Sequence, residues 1–251
     1  MNYEDYTALK RKIVPSLRFN QSIYQEMVSE SVSGGTVWLD AGCGRRILPP
    51  WREEAERVLV RKARLAVGCD SDRVAMRKHQ TLVSLVVADL EYLPFKNESL
   101  SLITCNMVVE HLDHPLVVFR EFARVLKEGG RVVVHTPNMY SYFVLGSRFV
   151  PWRLKLRLAR VLDARAEDEV FPTRYRASSV KKLRAMMTQV GLREERCRML
   201  ASEAVFATTY PLLAAVELLY IRLTLKSAFK FLRVSILASF VRPCREGQVG
   251  I

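Results

Sequence analysis

The sequence predicts an α/β protein with a doubly wound, mostly parallel sheet of seven strands. Three observations support this fold class. Short apolar runs alternate with helical patterns from residue 36 onwards, the first run ends in a glycine-rich turn, and an aspartate follows each of the next two. Such alternation with short connections is typical of parallel strands whose crossover helices cover both faces of a sheet.

The apolar runs and the segments between them give the elements in order. Strands are predicted over 36–40, 65–69, 82–88, 100–105, 131–135, 193–200 and 235–241. Helices are predicted over 51–64, 74–80, 115–127 and 178–190. The third helix begins at Pro115 and stops before Gly129, which are favoured positions for proline and glycine at helix ends.

Three regions follow from this order. Residues 139–176 interrupt the alternation with aromatic clusters and a cationic run, so they predict an insertion or lid. The regions are an N-terminal helical cap (1–34), a cofactor-binding half (35–138), and a C-terminal half with the substrate or lid insertion and a basic amphipathic helix (139–251, helix 211–233).

The charge is concentrated in the second half of the chain. Of the 251 residues, 39 are Lys or Arg and 26 are Asp or Glu, a net charge of +13; residues 1–140 contribute 19 − 17 = +2 and residues 141–251 contribute 20 − 9 = +11. A polyanion or an anionic membrane surface is one interpretation of this asymmetry, and simple solubility is the other. The five cysteines are widely spaced and form no CxxC pair, so the sequence indicates neither a zinc site nor a disulfide framework. A reducing cytoplasm is therefore the expected location.

Within helix 211–233 the charged residues recur at helical spacing. They are predicted to follow one face, with apolar residues over the rest, as in a helix that lies on an anionic membrane. Packing on the domain or on a second subunit is the alternative. The longest charge-free run here has 13 residues, which is short of the ~20 needed to span a bilayer. These charged residues are Glu217, Arg222, Lys226, Lys230 and Arg233.

Polar side chains follow the predicted strands where a parallel sheet binds its ligands. Asp40 and the turn that follows end the first strand, Asp70 the second, Asp89 the third and Asn106 the fourth. Asp70 is positioned to accept the hydroxyls of a ribose, and Asp89 to meet an adenine amine. A nicotinamide dinucleotide site is the alternative, but its third glycine would fall at Ile47.

Five motifs in order resemble class I S-adenosylmethionine-dependent methyltransferases. They are VWLDAGCG at 37–44, GCD at 68–70, ADLEYLPF at 88–95, NMVVEHL at 106–112 and RVLKEGGR at 124–131. The resemblance implies a Rossmann-like methyltransferase fold and S-adenosyl-L-methionine as cofactor. Within the family it is similar to small-molecule enzymes of quinone, polysaccharide and lipid-linked pathways.

The resemblance also implies roles for individual residues. The methionine part and ribose would lie by the first turn, the adenine by the third strand and the methyl group by the fourth. Arg46 departs from the family, which usually has a third glycine there. The implied cofactor residues are Asp40, Gly42, Cys43, Gly44, Asp70, Asp89, Leu90 and Asn106.

The acceptor half offers candidates for acid–base work and recognition. His111, His114 and His135 are candidate bases for a hydroxyl acceptor, although the Glu-His-Leu string is common in the family and has a structural interpretation too. The candidate substrate-binding residues are Arg174, Tyr175 and Arg176, because arginine forks suit phosphate and other anions. No metal site is predicted.

We therefore expect methyl transfer to a small-molecule acceptor or one linked to a lipid or sugar. The alternatives are a cofactor-binding or membrane-associated partner protein without catalysis and, less favoured, a nucleic-acid methyltransferase. The N-P-P-Y-type string of many base methylators is absent after the fourth strand, so no nucleic acid is expected as a partner. The expected location is the cytoplasm, with peripheral association at the inner face of the membrane left open.

Overall fold

A computed structural model describes residues 3–148, 172–202 and 211–244. Its seven-stranded sheet has the order β3-β2-β1-β4-β5-β7-β6, and only β7 runs antiparallel to its neighbours. The predicted fold class is confirmed. The strands are β1 Val37–Ala41, β2 Leu65–Asp70, β3 Ser84–Val87, β4 Leu100–Asn106, β5 Leu126–Pro137, β6 Arg193–Leu200 and β7 Ser235–Val241.

Helices cover both faces of this sheet and precede it. The described α-helices are α1 Tyr3–Ile13, α2 Asn20–Ser31, α3 Glu53–Lys62, α4 Arg73–Met76, α5 Pro115–Val125, α6 Tyr142–Arg148, α7 Val180–Gln189 and α8 Pro211–Leu225. Short 3-10 turns occupy Pro50–Arg52, Val109–His111 and Ser227–Leu232. Residues 149–171, most of the predicted lid, lie outside the described residues.

The core lies on both sides of β1 because successive side chains of a strand point to opposite faces. Trp38 packs with α2 and α3 residues such as Tyr24 and Leu59, and Leu39 packs on the other side with Phe119 and Phe122 of α5. All six are at most 4% exposed. This double burial fixes the register of β1, and with it the position of the turn that follows.

Two predicted helices end earlier than expected. The helix predicted over 74–80 is the single turn α4, whose N-terminus is capped by the Asp72 carboxylate accepting from the amides of Val74 and Ala75. The helix predicted over 115–127 stops at Val125, because Leu126 already pairs with Leu100 as the first residue of β5.

The helix predicted over 211–233 is also shorter, and its charges do not share one face. It ends at Leu225, and the Arg233 guanidinium donates to the carbonyls of Thr224, Leu225 and Met199 at 2.9–3.0 Å. Glu217 is buried and accepts a hydrogen bond from the Tyr142 hydroxyl. Within the described part of the chain, no helix combines the length and apolarity needed to cross a bilayer.

Candidate functional site

The carboxyl ends of β1, β2 and β4 lie side by side at one edge of the sheet. β1 lies between the other two, with Ala41 opposite Cys69 and Asp40 opposite Thr104. Asp70 and Asn106 end the flanking strands. The structure therefore brings both residues to the two sides of the turn 42–44.

The turn requires its glycines for two different reasons. Gly42 has φ +75°, and a Cβ there would lie 2.3 Å from a methyl carbon of Val108, so the loop after β4 packs directly on this residue. Gly44 has φ +48°, but a Cβ built on it meets no atom within 4 Å. The first glycine allows internal packing, whereas the second borders open space that a ligand can occupy.

Asp70 holds the turn and the segment after β2 together. One carboxylate oxygen accepts from the Gly44 amide at 2.9 Å and the other from the Asp72 amide at 2.8 Å. The side chain is half-buried. Each oxygen of a carboxylate accepts more than one hydrogen bond, so Asp70 retains acceptor capacity for a ligand.

Asp89 lies next to Asp70 in the sheet edge. The Ala88 amide donates to the Asp70 carbonyl at 3.1 Å, and the Asp89 carboxylate accepts from the Glu91 amide at 2.9 Å. Asp89 is exposed, whereas Leu90 is 9% exposed and belongs to the core. The turn thus presents a carboxylate and a backbone segment rather than the Leu90 side chain.

Asp40 and Cys43 lie beneath the turn rather than on its surface. The Asp40 carboxylate is 4% exposed and accepts from the Thr104 hydroxyl at 2.5 Å, and that hydroxyl accepts from the Trp38 indole at 2.7 Å. Burial raises the pKa of Asp40 to about 8. The Cys43 thiol is also buried, which raises its pKa well above the usual range. Cys43 reaches the turn only with its backbone.

Asn106 and His135 form one hydrogen-bonded unit. The Asn106 amide nitrogen donates to the Ile47 carbonyl at 3.3 Å and to the Gln21 side chain at 3.2 Å. Its oxygen therefore accepts from His135 Nδ1 at 2.8 Å, which leaves His135 Nε2 to accept from the Ser235 hydroxyl at 3.0 Å. Burial lowers the pKa of His135 to about 4. These contacts favour a positioning role for His135 over the role of a base.

The other two candidate histidines lie on the loop after β4. His111 Nδ1 donates to the Pro172 carbonyl at 2.9 Å, and its Nε2 lies 3.8 Å from a carboxylate oxygen of the buried Glu110. His114 is exposed, with Nδ1 2.9 Å from a Glu91 carboxylate oxygen. Only His111 is thus held between this loop and the segment around residue 172.

The candidate substrate segment docks onto that same loop. The amides of Arg174 and Tyr175 both donate to the Glu110 carbonyl, at 2.6 and 3.0 Å, and Tyr175 has φ +53°. The Arg174 and Arg176 guanidinium groups lie 3.1 and 3.7 Å from the same Asp113 carboxylate oxygen, and both arginines are exposed. One carboxylate between two guanidinium groups leaves an excess positive charge here.

Three residues of this region were not predicted from the sequence. Gln21 and Tyr24 come from α2: Gln21 bonds Asn106, and the Tyr24 ring stacks on His135 with centroids 5.7 Å apart. Glu56 of α3 is buried and accepts from the Leu48 amide at 2.7 Å and from the Thr81 hydroxyl. Helix periodicity places these residues on helices, but only the folded arrangement places them at the site.

The cysteines and histidines do not assemble into a metal centre. Over residues 3–148, 172–202 and 211–244, no three His, Cys, Asp or Glu side chains are grouped as metal ligands would be.

Comparisons with known proteins agree with this geometry. Residues 39–134 match the methyltransferase domain family. A malonyl-[acyl-carrier protein] O-methyltransferase of Hamiltonella defensa is 34% identical over 104 residues, which are 41% of this chain and 38% of that protein. The chain spans less than half the length of the first curated relatives it matches.

Solved structures share the fold at low identity. An S-adenosylmethionine-dependent methyltransferase from Mesorhizobium loti has a TM-score of 0.54 and 14% identity, covering 87% of this chain and 95% of that one. The geranyl diphosphate C-methyltransferase of Streptomyces coelicolor, solved in complex with S-adenosyl-L-homocysteine, has a TM-score of 0.54 and 14% identity. The match covers 88% of this chain and 78% of that one.

Residues 39–134 carry a methyltransferase domain. The predicted S-adenosylmethionine-dependent family and its cofactor are confirmed by this match together with the relatives and the solved structures. The matched segment contains Asp40 of β1 and all of β2 and β4, which carry the edge residues. The open space at Gly44 and the acceptor capacity of Asp70 fit S-adenosyl-L-methionine, whose ribose hydroxyls are donors.

The departure at Arg46 does not strain this methyltransferase domain. Among the non-glycine residues that are described, only Glu98, Met107 and Tyr175 have positive φ, so the backbone at Arg46 needs no glycine. The Arg46 amide closes the turn by donating to the Cys43 carbonyl at 3.1 Å. The next helix, α3, starts only at Glu53, which leaves an irregular segment where the arginine is accommodated.

Proposed function

We propose that the protein is an S-adenosylmethionine-dependent methyltransferase whose acceptor is a small, anionic molecule, free or linked to a lipid or sugar. The observation that carries the proposal is the convergence of the turn 42–44, Asp70 and Asn106 at one edge of the sheet. Such an edge is where open α/β sheets bind nucleotide-like ligands.

The proposed cofactor contacts follow from that edge. Asp70 accepts the ribose hydroxyls, the turn with Asp89 and the Leu90 backbone borders the adenine, and Gly44 lets the methionine end approach the backbone. The buried Asp40 supports the turn from below by its bond to Thr104. The cofactor supplies a methyl group already activated on a sulfonium, so the protein's task is alignment and exclusion of water.

Asn106 is the proposed positioning residue beside the methyl group. Its amide is bonded on three sides, by Ile47, Gln21 and His135, so its orientation is fixed before any ligand binds. Preorganised dipoles of this kind are more effective than mobile ones because no reorganisation accompanies the reaction.

His111 is the proposed base if the acceptor is a hydroxyl. Its Nδ1 proton is committed to the Pro172 carbonyl, so Nε2 is the nitrogen that receives a proton. The Glu110 carboxylate, 3.8 Å away, stabilises the imidazolium that results. An acceptor that is already ionised needs no such step.

The proposed anionic acceptor rests on Arg174 and Arg176. Their guanidinium groups are exposed, share Asp113, and are docked by the backbone onto the loop after β4 that also carries His111. Guanidinium pairs bind carboxylates and phosphates with directional hydrogen bonds. The relative from Hamiltonella defensa is named for a malonyl acceptor, and a malonyl group ends in a carboxylate.

Transfer of a labelled methyl group to matched acceptors tests this proposal. A malonyl thioester and a prenyl diphosphate are tested, and the free prenol, which keeps the prenyl skeleton, is the uncharged counterpart of the diphosphate. We expect a preference of about tenfold or more for an anionic member, reduced in the Arg174→Ala/Arg176→Ala variant, as for loss of charge-assisted bonds. Equal transfer to the uncharged partner would reject the anionic acceptor.

We also propose that the protein works at the cytoplasmic face of an anionic membrane. The net charge of +11 on residues 141–251 supports this location.

A further inference from the structure

The outward side of α8 is apolar although it faces solvent. Leu212, Val216, Leu219 and Leu223 follow one another at steps of four, three and four residues, so they form one stripe along the helix. They are 78%, 58%, 54% and 38% exposed. We call this stripe the outer face of α8.

The exposure of the outer face does not arise from weak packing of α8, because the opposite side of the helix is buried. On the opposite side Leu218 and Ile221 are at most 1% exposed and pack with Tyr6, Val14 and Leu17, which belong to α1 and the segment after it. The helix is therefore apolar on both sides, and one side already has its partner. A helix that only covered a domain would need a single apolar side.

The 3-10 turn after α8 extends this surface. Phe229 and Phe231 are 37% and 53% exposed. The turn is held against α8 because the Tyr220 hydroxyl donates to the Leu232 carbonyl at 3.1 Å and Arg233 caps the end of the helix. The aromatic side chains and the outer face thus belong to one fixed unit.

Cations, and no acids, accompany the exposed apolar residues along this stretch of the sequence. Arg222, Lys226 and Lys230 are exposed, and no Asp or Glu occurs between residues 218 and 244. The last acid before this stretch of sequence, Glu217, is buried and bonded to Tyr142. A surface that combines apolar side chains with cations alone is complementary to the interface of an anionic bilayer.

We infer that the outer face of α8, with Phe229 and Phe231, is a docking surface for an anionic lipid bilayer. Its apolar side chains enter the acyl boundary, and Arg222, Lys226 and Lys230 contact lipid phosphates. The inference rests on the proposed membrane location but not on methyl transfer. A second copy of the chain is a poorer occupant, because it would bring cations against cations.

Flotation with vesicles tests the docking surface. The probes are vesicles of phosphatidylcholine alone and with ~30% phosphatidylglycerol. We expect the intact protein to float only with the anionic vesicles. The partition coefficient of the Val216→Asp/Leu219→Asp variant should be at least ten times lower than that of the wild type. Lys226→Glu/Lys230→Glu should weaken binding and reduce its dependence on salt. The matched control is Val58→Asp on α3, also 54% exposed, which should float like the wild type.

Several outcomes would overturn the inference. They are failure of the wild type to float, flotation of the α8 variant equal to that of the control, and a dimer in sizing chromatography that the α8 variant abolishes. Circular dichroism checks the fold of each variant. Calorimetric titration of the same samples with S-adenosyl-L-methionine separates the two proposals, because flotation can fail while cofactor binding persists, and the reverse.

Discussion

Asn106 and His135 lie opposite each other in the β4–β5 ladder, and the imidazole Nδ1 is 2.8 Å from the amide oxygen. This pair joins the last strand of the cofactor-binding half to the centre of the sheet. Because Ser235 of β7 bonds the other ring nitrogen, three strands determine how the Asn106 amide is presented at the site.

The His135→Asn variant tests this relationship through pH. His135 is neutral in the folded state, where its pKa is about 4, and unfolding restores a value near 6.5. The unfolded state therefore binds more protons between these values, and the stabilisation is lost as the pH falls from 6.5 to 4. We expect the advantage of the wild type over the variant in unfolding free energy to shrink by about 3 kcal/mol over that window.

Urea titrations at pH 7 and pH 4.5 measure this difference. His114→Asn, the same substitution at an exposed position, is measured alongside it. An advantage of the wild type that is the same at both pH values would show that His135 is not buried in its neutral form.

The buried Asp40 predicts the opposite dependence on pH. Its folded-state pKa of about 8 lies above the unfolded value near 4, so the folded state holds a proton that the unfolded chain releases. Stability is thus lost as the pH rises from 4 to 8. Asp40→Asn keeps an oxygen that accepts from Thr104, and we expect it to gain several kcal/mol relative to the wild type between pH 5 and pH 8.

Denaturation of the two proteins without ligand at both pH values provides the measurement. A difference between them that does not change with pH would mean that Asp40 is ionised throughout.

Gly42→Ala is expected to disturb the turn more than a substitution at a glycine with open space around it. The new methyl group would meet Val108 at 2.3 Å and the residue would keep φ +75°, so we expect a loss of about 2 kcal/mol or more in unfolding free energy. Gly35→Ala, where a Cβ meets no atom within 4 Å, is the matched control. Equal melting temperatures for the two variants would contradict the close packing of Val108 on Gly42.

The strand positions and the edge residues could be predicted from the sequence because each depends on a local pattern. Apolar runs mark buried strands, and Asp70 and Asn106 are the residues at which two of them end. Element ends were less accurate where tertiary pairing competes with helix propensity. Leu126 joins β5 instead of extending α5, and Arg233 ends the α8 region by capping it.

The supporting residues could not be predicted because their partners are distant in the chain. Gln21 contacts Asn106 although the two residues are 85 positions apart in the sequence. Glu56 lies in a helix of mostly polar composition, and the folded structure nevertheless buries its side chain. Likewise, the five charges of the predicted basic helix suggested one cationic face. The structure buries Glu217 and leaves the exposed stripe apolar.

S-adenosyl-L-methionine is proposed to bind at the carboxyl edge of the sheet, with Asp70 on its ribose hydroxyls. Calorimetric titration of the wild type, Asp70→Ala and Asp72→Ala tests it most directly. Asp72 caps α4 two residues away, so its variant controls for damage to the same segment. We expect micromolar binding to the wild type and to Asp72→Ala, and binding weaker by about 1–3 kcal/mol in Asp70→Ala. An unchanged dissociation constant in Asp70→Ala, or no binding to the wild type, would contradict this binding site.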